Sequence, residues 1–396
     1  MIATLRSEIR LFDLIRSLFL NQGCIEKLER QLTEYFGVQK TLLTHSGRTG
    51  IYFLLKALPQ KKVYLPAYNC WAVTEAAQYA GKEIEYVDIS LGDYNMDIAK
   101  LRACLEPDSI ILATHQFGIP CDIEAIIELA RERNCIVIED NAAAFGAEIK
   151  GKKTGSFGSA GVVSFEHSKT VVSGKGGAIL FNDLELYRKV RTVYDKEVAK
   201  PGFLQSLKWM LIPLAYSYAT HRFTYRVTYA LFQRIRGANR STAACDLTPE
   251  NESYRFGFDD RRAKLVSLNL ERLPGIMAKR GLVSDFYLNH IAGSARIVTP
   301  VIADGVKLSM VKFPIRLNGA DRQYFYDRCI EKGVDLGFLF QFHYSSSRDA
   351  CPNARIAASE GIALPVYSAL NRRDLNRIKC VIQDEDNYRI VAKDSR

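Results

Sequence analysis

The stretch Ser164-Phe165-Glu166-His167-Ser168-Lys169, continued by Thr170-Val171-Val172-Ser173-Gly174-Lys175-Gly176-Gly177, decides the fold. Residues 161–165 read as a strand. The lysine follows Ser164 in a short polar loop, and a glycine-rich turn then leads into the apolar run Ala178-Ile179-Leu180-Phe181. A lysine just beyond a strand end suits imine chemistry, because neighbouring backbone and cations can hold it partly neutral. Alone, such a residue is more often a solvated surface lysine. The segment upstream decides between the two: Cys135-Ile136-Val137-Ile138-Glu139-Asp140 reads as a buried parallel strand with two carboxylates at its carboxyl end. Ligands of open α/β sheets bind at that end. A carboxylate there and a lysine on a neighbouring loop are the two groups that a pyridoxal phosphate site needs. The acid keeps the pyridine nitrogen protonated, the lysine holds the cofactor covalently, and a serine such as Ser164 can bind phosphate.

These residues carry a family resemblance. From about Ile25 to the C-terminus, apart from an inserted segment at about 200–240, the chain resembles the DegT/DnrJ/EryC1/StrS sugar aminotransferases of the aspartate-aminotransferase fold. The acid-strand motif stands as Glu139-Asp140-Asn141-Ala142-Ala143-Ala144-Phe145-Gly146, and the Ser-Phe-x-x-x-Lys motif as Ser164 to Lys169. The resemblance implies an α/β fold: a large domain, 1–255, with a mostly parallel central sheet flanked by helices, and a smaller C-terminal α+β domain, 256–396. It further implies pyridoxal 5'-phosphate as cofactor, an amino donor such as L-glutamate, a keto-sugar acceptor carried on a nucleotide, and a homodimer whose sites are completed by two subunits.

Composition is that of a globular chain: 396 residues, 47% apolar and 25% charged, enough for two cores. The net charge of +10 raises the question of nucleic acid. No basic RNA-binding signature accompanies it, however, and no nucleic-acid partner is expected. Residues 200–240 supply much of the excess, with seven Lys/Arg, no Asp or Glu, and interleaved Trp209, Tyr216, Phe223, Tyr225 and Phe232. Its apolar part is too short to cross a bilayer. Two readings stay open for it: a helix lying on an anionic membrane surface, or a contact with a partner subunit. Nine scattered cysteines without a C-x-x-C pair point to buried thiols in a reducing compartment and to no structural metal. Charges break the N-terminal apolar pattern, so a cytoplasmic location is expected, with peripheral attachment to the inner membrane face as an extension of the first reading.

Along the chain, the periodicity predicts helices over 1–20, 25–36, 51–58, 73–80, 94–105 and 123–133, and strands over 38–44, 83–87 and 110–118. Strands alternating with helices argue for parallel βαβ units. Residues 155–161 superficially resemble a dinucleotide fingerprint but precede a strand, so they read as a turn. Beyond the insert, the pattern predicts a helix over 262–273, a second one through His290, a strand over 311–317 and a helix over 322–332.

Ser46-Gly47-Arg48-Thr49 opens a helix, and a helix N-terminus with small residues is an anion site. In the family this turn cradles the cofactor phosphate; here Arg48 stands in the threonine position and offers a guanidinium. The resemblance assigns the ring stacked on the cofactor to Trp71, with Tyr68 as the alternative. It brings His343 from the small domain toward substrate, and it sets His167, Lys175 and Glu139 near the substrate side. It gives Lys169 the proton transfer and Asp140 the cofactor's ring nitrogen. Ala143, Lys175, Arg48 and Asp259 depart from the family pattern, and two of these changes add positive charge. Dehydratases of the family carry His where Lys169 stands, so the lysine argues against that activity. A non-enzymatic cofactor-binding role is the remaining alternative.

Overall fold

The computed structural model describes residues 1–19, 22–236, 254–291, 296–319, 321–340, 344 and 350–394. Its central sheet comprises β1 (Lys40–Thr44), β2 (Lys62–Pro66), β3 (Glu83–Val87), β4 (Ile110–Thr114), β5 (Ile136–Asp140), β6 (Ala160–Ser164) and β7 (Gly177–Phe181). Their spatial order is β1-β7-β6-β5-β4-β2-β3. β3, β2, β4, β5 and β6 run parallel, while β7 is antiparallel to both its neighbours.

Alternation along β5 sends Ile138 into one core and Val137 into the other. On the first face Ile138, Val162 and Ile179 pack under Ile51 and Leu54 of the helix Gly47–Ala57. On the second, Ile111 and Val137 pack against Leu101, Ile126 and Leu129. Strands buried on both faces explain the near-continuous apolar runs in the sequence.

The helix Cys24–Phe36 ends as its glycine forecasts: Gly37 adopts φ +67° and its N–H closes on Thr33 O. The helix expected over 94–105 begins only at Ile98, behind its Asp97 cap, and two other helices differ further from expectation. The first spans only Leu11–Leu18, because Ile2, Leu5 and Ile9 are buried and Ile2 exchanges backbone hydrogen bonds with Gly333 and Asp335. The pair expected over 262–290 is one helix, Asp260–His290, running straight through Pro274. Ala263, Val266 and Leu273 belong to the core around Leu28 and Leu32, and Val283 and Tyr287 to a core around Phe313 and Ile362. Burial at both ends outweighs the roughly 3 kcal/mol that an internal proline costs.

The second core covers an antiparallel sheet of β8 (Ile297–Val298), β9 (Lys312–Leu317), β10 (Gly337–Phe338) and β11 (Gly361–Pro365), ordered β8-β9-β11-β10. Since Ile2 joins this core and the long helix serves both, a division of the chain at 255 cuts ahead of an element that the two cores share.

The inserted segment forms the helices Phe203–Ala219 and Tyr225–Arg236. Ser206, Trp209, Met210, Pro213 and Ser217 of the first are buried, while Leu204, Leu211, Ile212 and Tyr218 are exposed. Among the described residues no helix is long and apolar enough to cross a membrane.

Candidate active site

β5 and β6 end side by side, with Asp140 paired to Val162 and, on the other flank, to Thr114. Asp140 is buried, and its Oδ1 accepts the Ala142 N–H at 3.0 Å. Burial raises its carboxyl above the usual range, opposed by that hydrogen bond and by the charge of Lys169. Lys169 and Asp140 therefore share one electrostatic neighbourhood, as the cofactor chemistry requires. Cys70, the cap residue of the helix Trp71–Tyr79, joins them: burial raises its thiol, and Lys169, Asp140 and Glu166 all act on it.

The Lys169 loop is tight. The Lys169 N–H donates to Glu166 O at 2.9 Å, and the Glu166 carboxylate accepts from Ser168 Oγ at 2.5 Å and pairs with His167 Nδ1 at 2.6 Å. Burial pushes the Glu166 carboxyl up, but the His167 bond and charge, the Lys169 charge and Ser168 bring it down to about 2. His167, expected on the substrate side, thus turns to Glu166 and packs, tilted by 54°, at 4.9 Å against Tyr216 of the inserted helix. Gly174 sits at φ +89°, where a Cβ would lie 1.9 Å from Trp209 O, so the insert packs directly on this loop. The inserted helix therefore presents one face to its own chain, and only its outer face is open to a membrane or a partner.

Beside Ser164 lies the expected anion turn. Gly177 pairs with both Thr44 and Ser164, and a Cβ on it would come within 2.6 Å of Gly47 N, so glycine lets the helix start reach the strand. A Cβ on Gly47 would meet Ser164 Cβ at 3.3 Å. Ser46 caps the helix, accepting from Thr49 N–H at 3.1 Å, and the two hydroxyls lie 2.9 Å apart. His45, just ahead, is held near 3 by burial and by the charges of Arg262, Lys175 and Arg48, so its ring is neutral while Lys175 and Arg48 give the turn positive surroundings.

Several assignments are corrected. Arg48 does not point its guanidinium into the turn alone: it pairs with Glu75 and lies 5.1 Å over Trp71 and 5.6 Å over Tyr254. The Trp71 ring therefore carries Arg48, and Cys70 just ahead of it lies in electrostatic reach of Asp140 and Lys169. Tyr68 is fully buried, its OH donating to Phe340 O at 3.0 Å, in an aromatic core with Tyr94 and Phe117. Glu139 is withdrawn from the substrate side. Alternation points it away from Asp140, and it accepts the N–H groups of Gly155 (2.7 Å), Phe157 (2.6 Å) and Gly158 (2.8 Å) and pairs with His115 Nε2 at 2.9 Å. The Cys121 N–H donates to His115 Nδ1 at 3.1 Å, which leaves Nε2 to carry the proton toward Glu139. Asp259 caps the long helix, bonded to Ser206 Oγ at 2.9 Å and to the buried Arg262 at 2.5 Å. His343 lies outside the described residues.

The residues present fit pyridoxal phosphate. A buried carboxylate and a lysine lie in electrostatic reach of one another at the strand ends, and Ser164 adjoins a helix start whose first amides have no intrahelical acceptor. A profile of the DegT/DnrJ/EryC1/StrS aminotransferase family matches residues 10–383. The chain belongs to this family. A UDP-N-acetyl-3-dehydro-alpha-D-glucosamine 3-aminotransferase of Acidithiobacillus ferrooxidans is 35% identical over 96% of this chain and 94% of its own length. GDP-perosamine synthase of Caulobacter vibrioides is 35% identical over 42% of this chain, and the match spans 46% of that enzyme, about half its length. The fold is shared with the sugar aminotransferase CalS13 of Micromonospora echinospora (TM-score 0.76, 19% identity, 97% of this chain and 100% of that one). Pyridoxal phosphate is the cofactor of this family, and Spr1654 of Streptococcus pneumoniae, of the same fold (TM-score 0.77, 18% identity over 98% of this chain and 100% of that one), is solved in its PMP form.

Sequence reasoning passed over Cys70, His115 and Lys312 as site residues. Cys70 and His115 follow the ends of β2 and β4, so position along the sheet is the signal that would have found them. Lys312 had none, because the small domain alone brings it there.

Proposed function

We propose that the chain transfers an amino group from an amino acid, L-glutamate in the first instance, to the ketone carbon of a nucleotide-activated sugar. The observation that carries this reading is the lysine-carboxylate pair, Lys169 and Asp140, in one neighbourhood at the carboxyl edge of the sheet. Pyridoxal phosphate, when bound, supplies the electron sink that lets the bond from nitrogen-bearing carbon to hydrogen break. Asp140 would face its ring nitrogen. Ser164, Ser46, Gly47 and Thr49 would hold its phosphate, with Lys175 adding positive charge. Lys169 would hold the cofactor covalently, and its amine would carry the proton taken from the donor's α-carbon. The full-length likeness to a 3-aminotransferase acting on UDP-N-acetyl-3-dehydro-alpha-D-glucosamine favours that keto-sugar class for surface polysaccharide or glycolipid.

The test is spectroscopic and chemical. Cofactor-loaded protein treated with L-glutamate should lose the absorbance of its yellow form. Presented then with UDP-3-keto and 4-keto sugars, it should return to yellow and release an amino-sugar visible by mass. Protein that stays yellow with every amino donor overturns the reading in favour of a non-enzymatic role. The same reading takes the working unit as a homodimer and the outward face of residues 203–231 as its contact with a second subunit or an anionic leaflet. Sedimentation velocity and vesicle flotation separate those two.

A further inference from the structure

The start of β9 delivers another charged side chain to the Lys169 neighbourhood. Residues 309–312 are clamped to the rim of the large sheet. The Ser309 N–H donates to Gly118 O at 3.2 Å, Ser309 Oγ to Phe145 O at 2.6 Å, and the Val311 N–H to Phe117 O at 3.3 Å. Gly118, at φ +97°, leaves room for this approach, since a Cβ would stand 2.1 Å from Ser309 O. Behind the clamp, Arg280 donates to Met310 O at 3.2 Å. The loops that hold the segment follow β4 and β5, which end at Thr114 and Asp140. Lys312 is therefore carried to the carboxyl edge, where its half-buried side chain is in electrostatic reach of Lys169, Cys70 and Glu166.

Lys312 stands out for what it does not touch. Lys153 and Lys307 both pair with Glu148, whereas the Lys312 ammonium makes no hydrogen bond or ion pair among the described residues. Glu166 is taken by its own loop, through His167 at 2.6 Å and Ser168 at 2.5 Å. Burial, then the Lys169 charge, lowers the Lys312 pKa, the behaviour of a cation set beside another cation. A desolvated ammonium without an anion costs free energy that a ligand's anion recovers.

We propose that Lys312 receives the α-carboxylate of the amino donor. The inference rests on the transamination reading and names a substrate contact within it. The donor's nitrogen must come to the place of Lys169 Nζ, and its carboxylate sits on the very next carbon. The cation that meets the carboxylate must therefore share Lys169's surroundings, which Lys312 does. An arginine fork is not required, because a point charge serves a carboxylate whose position is already fixed through the nitrogen.

The experiment compares cofactor-loaded wild-type protein with Lys312→Met, Lys312→Gln and Lys312→Arg. Each is titrated spectroscopically with 2-methyl-L-glutamate, which has no α-hydrogen to lose, and then with L-glutamate in a single half-reaction. The expected result is a dissociation constant weakened about tenfold or more in the Met and Gln variants, from loss of a charge-assisted contact. The Arg variant should recover most of the affinity, and the limiting rate with L-glutamate should move far less than the affinity. Retained cofactor absorbance and melting temperature certify folding, and Gln serves if Met does not fold. Unchanged affinity in both neutral variants, or weakening confined to the keto-sugar half-reaction, overturns the assignment while transamination stands. Wild-type protein inert to L-glutamate, L-aspartate and L-alanine instead brings down the transamination reading itself.

Discussion

The turn at 155–158 and the helix start at 46–49 both gather backbone N–H groups near the large sheet, and they are occupied differently. In the first, three amides close on Glu139, whose carboxylate also takes the His115 proton, and nothing is left to receive a ligand. In the second, Ser46 satisfies only the Thr49 amide, and the surrounding charges are positive. A nest that closes on the chain's own carboxylate fastens the fold; one left open with cations nearby binds an anion. The adjacent acids Glu139 and Asp140 divide along the same line, because β alternation points one into the turn and the other into the site.

That division can be broken by substitution, and the largest effects should fall on the site. Lys169→Ala should lower the L-glutamate half-reaction by about 10²–10⁴-fold, and Asp140→Asn by about 10²–10³-fold, both with wild-type unfolding curves. Glu139→Ala should do the reverse, removing about 3–5 kcal/mol of stability through a buried, uncompensated network, as read by urea unfolding. A Glu139→Ala protein as stable as wild type but inert would invert the comparison. Ser46→Ala should cost about 0.5–2 kcal/mol as a lost cap and also weaken cofactor retention on dialysis; loss of stability alone would make the turn merely structural.

The smallest effect concerns Glu166. Its folded carboxyl sits at about 2 against an ordinary 4.5, so its ionised form stabilises the fold above pH 4.5 and that contribution fades as pH falls toward 2. The side chain is 36% exposed, so solvent screens most of the effect. The stability difference between wild type and Glu166→Gln should be flat above pH 5 and shrink below 4.5; a difference that grows on acidification would contradict the arrangement.

What could be read from the sequence follows from how local each feature is. The strands that end at Asp140 and Ser164 and the helix start after Ser46 are short-range patterns and stand where the sequence suggests, whereas the strand expected to reach Gly118 ends at Thr114 and turns. The directions of Arg48, Trp71 and Tyr68 depend on partners such as Glu75 and Phe340, far away in sequence. No spacing rule would have given those. Glu139 was misjudged because adjacency in a strand places residues on opposite faces, a point the motif alone hides. The two helices expected over 262–290 are one because separate cores grip its two ends, and neither core is visible from one stretch. Lys312 needed the docking of the small domain.

The contact between Gly174 and Trp209 has a bearing on engineering. Shortening the inserted helices to a plain connector would strip the indole from Arg262, a fully buried guanidinium stacked 4.7 Å from it, and take Ser206 from Asp259. A chimera made that way would leave a charged residue at the root of the long helix half-stripped of its lining, where it donates to Lys175 O of the loop that bears Lys169. Grafting of this insert is therefore workable only as a unit, with glycine at 174, Asp259 and Arg262 travelling together.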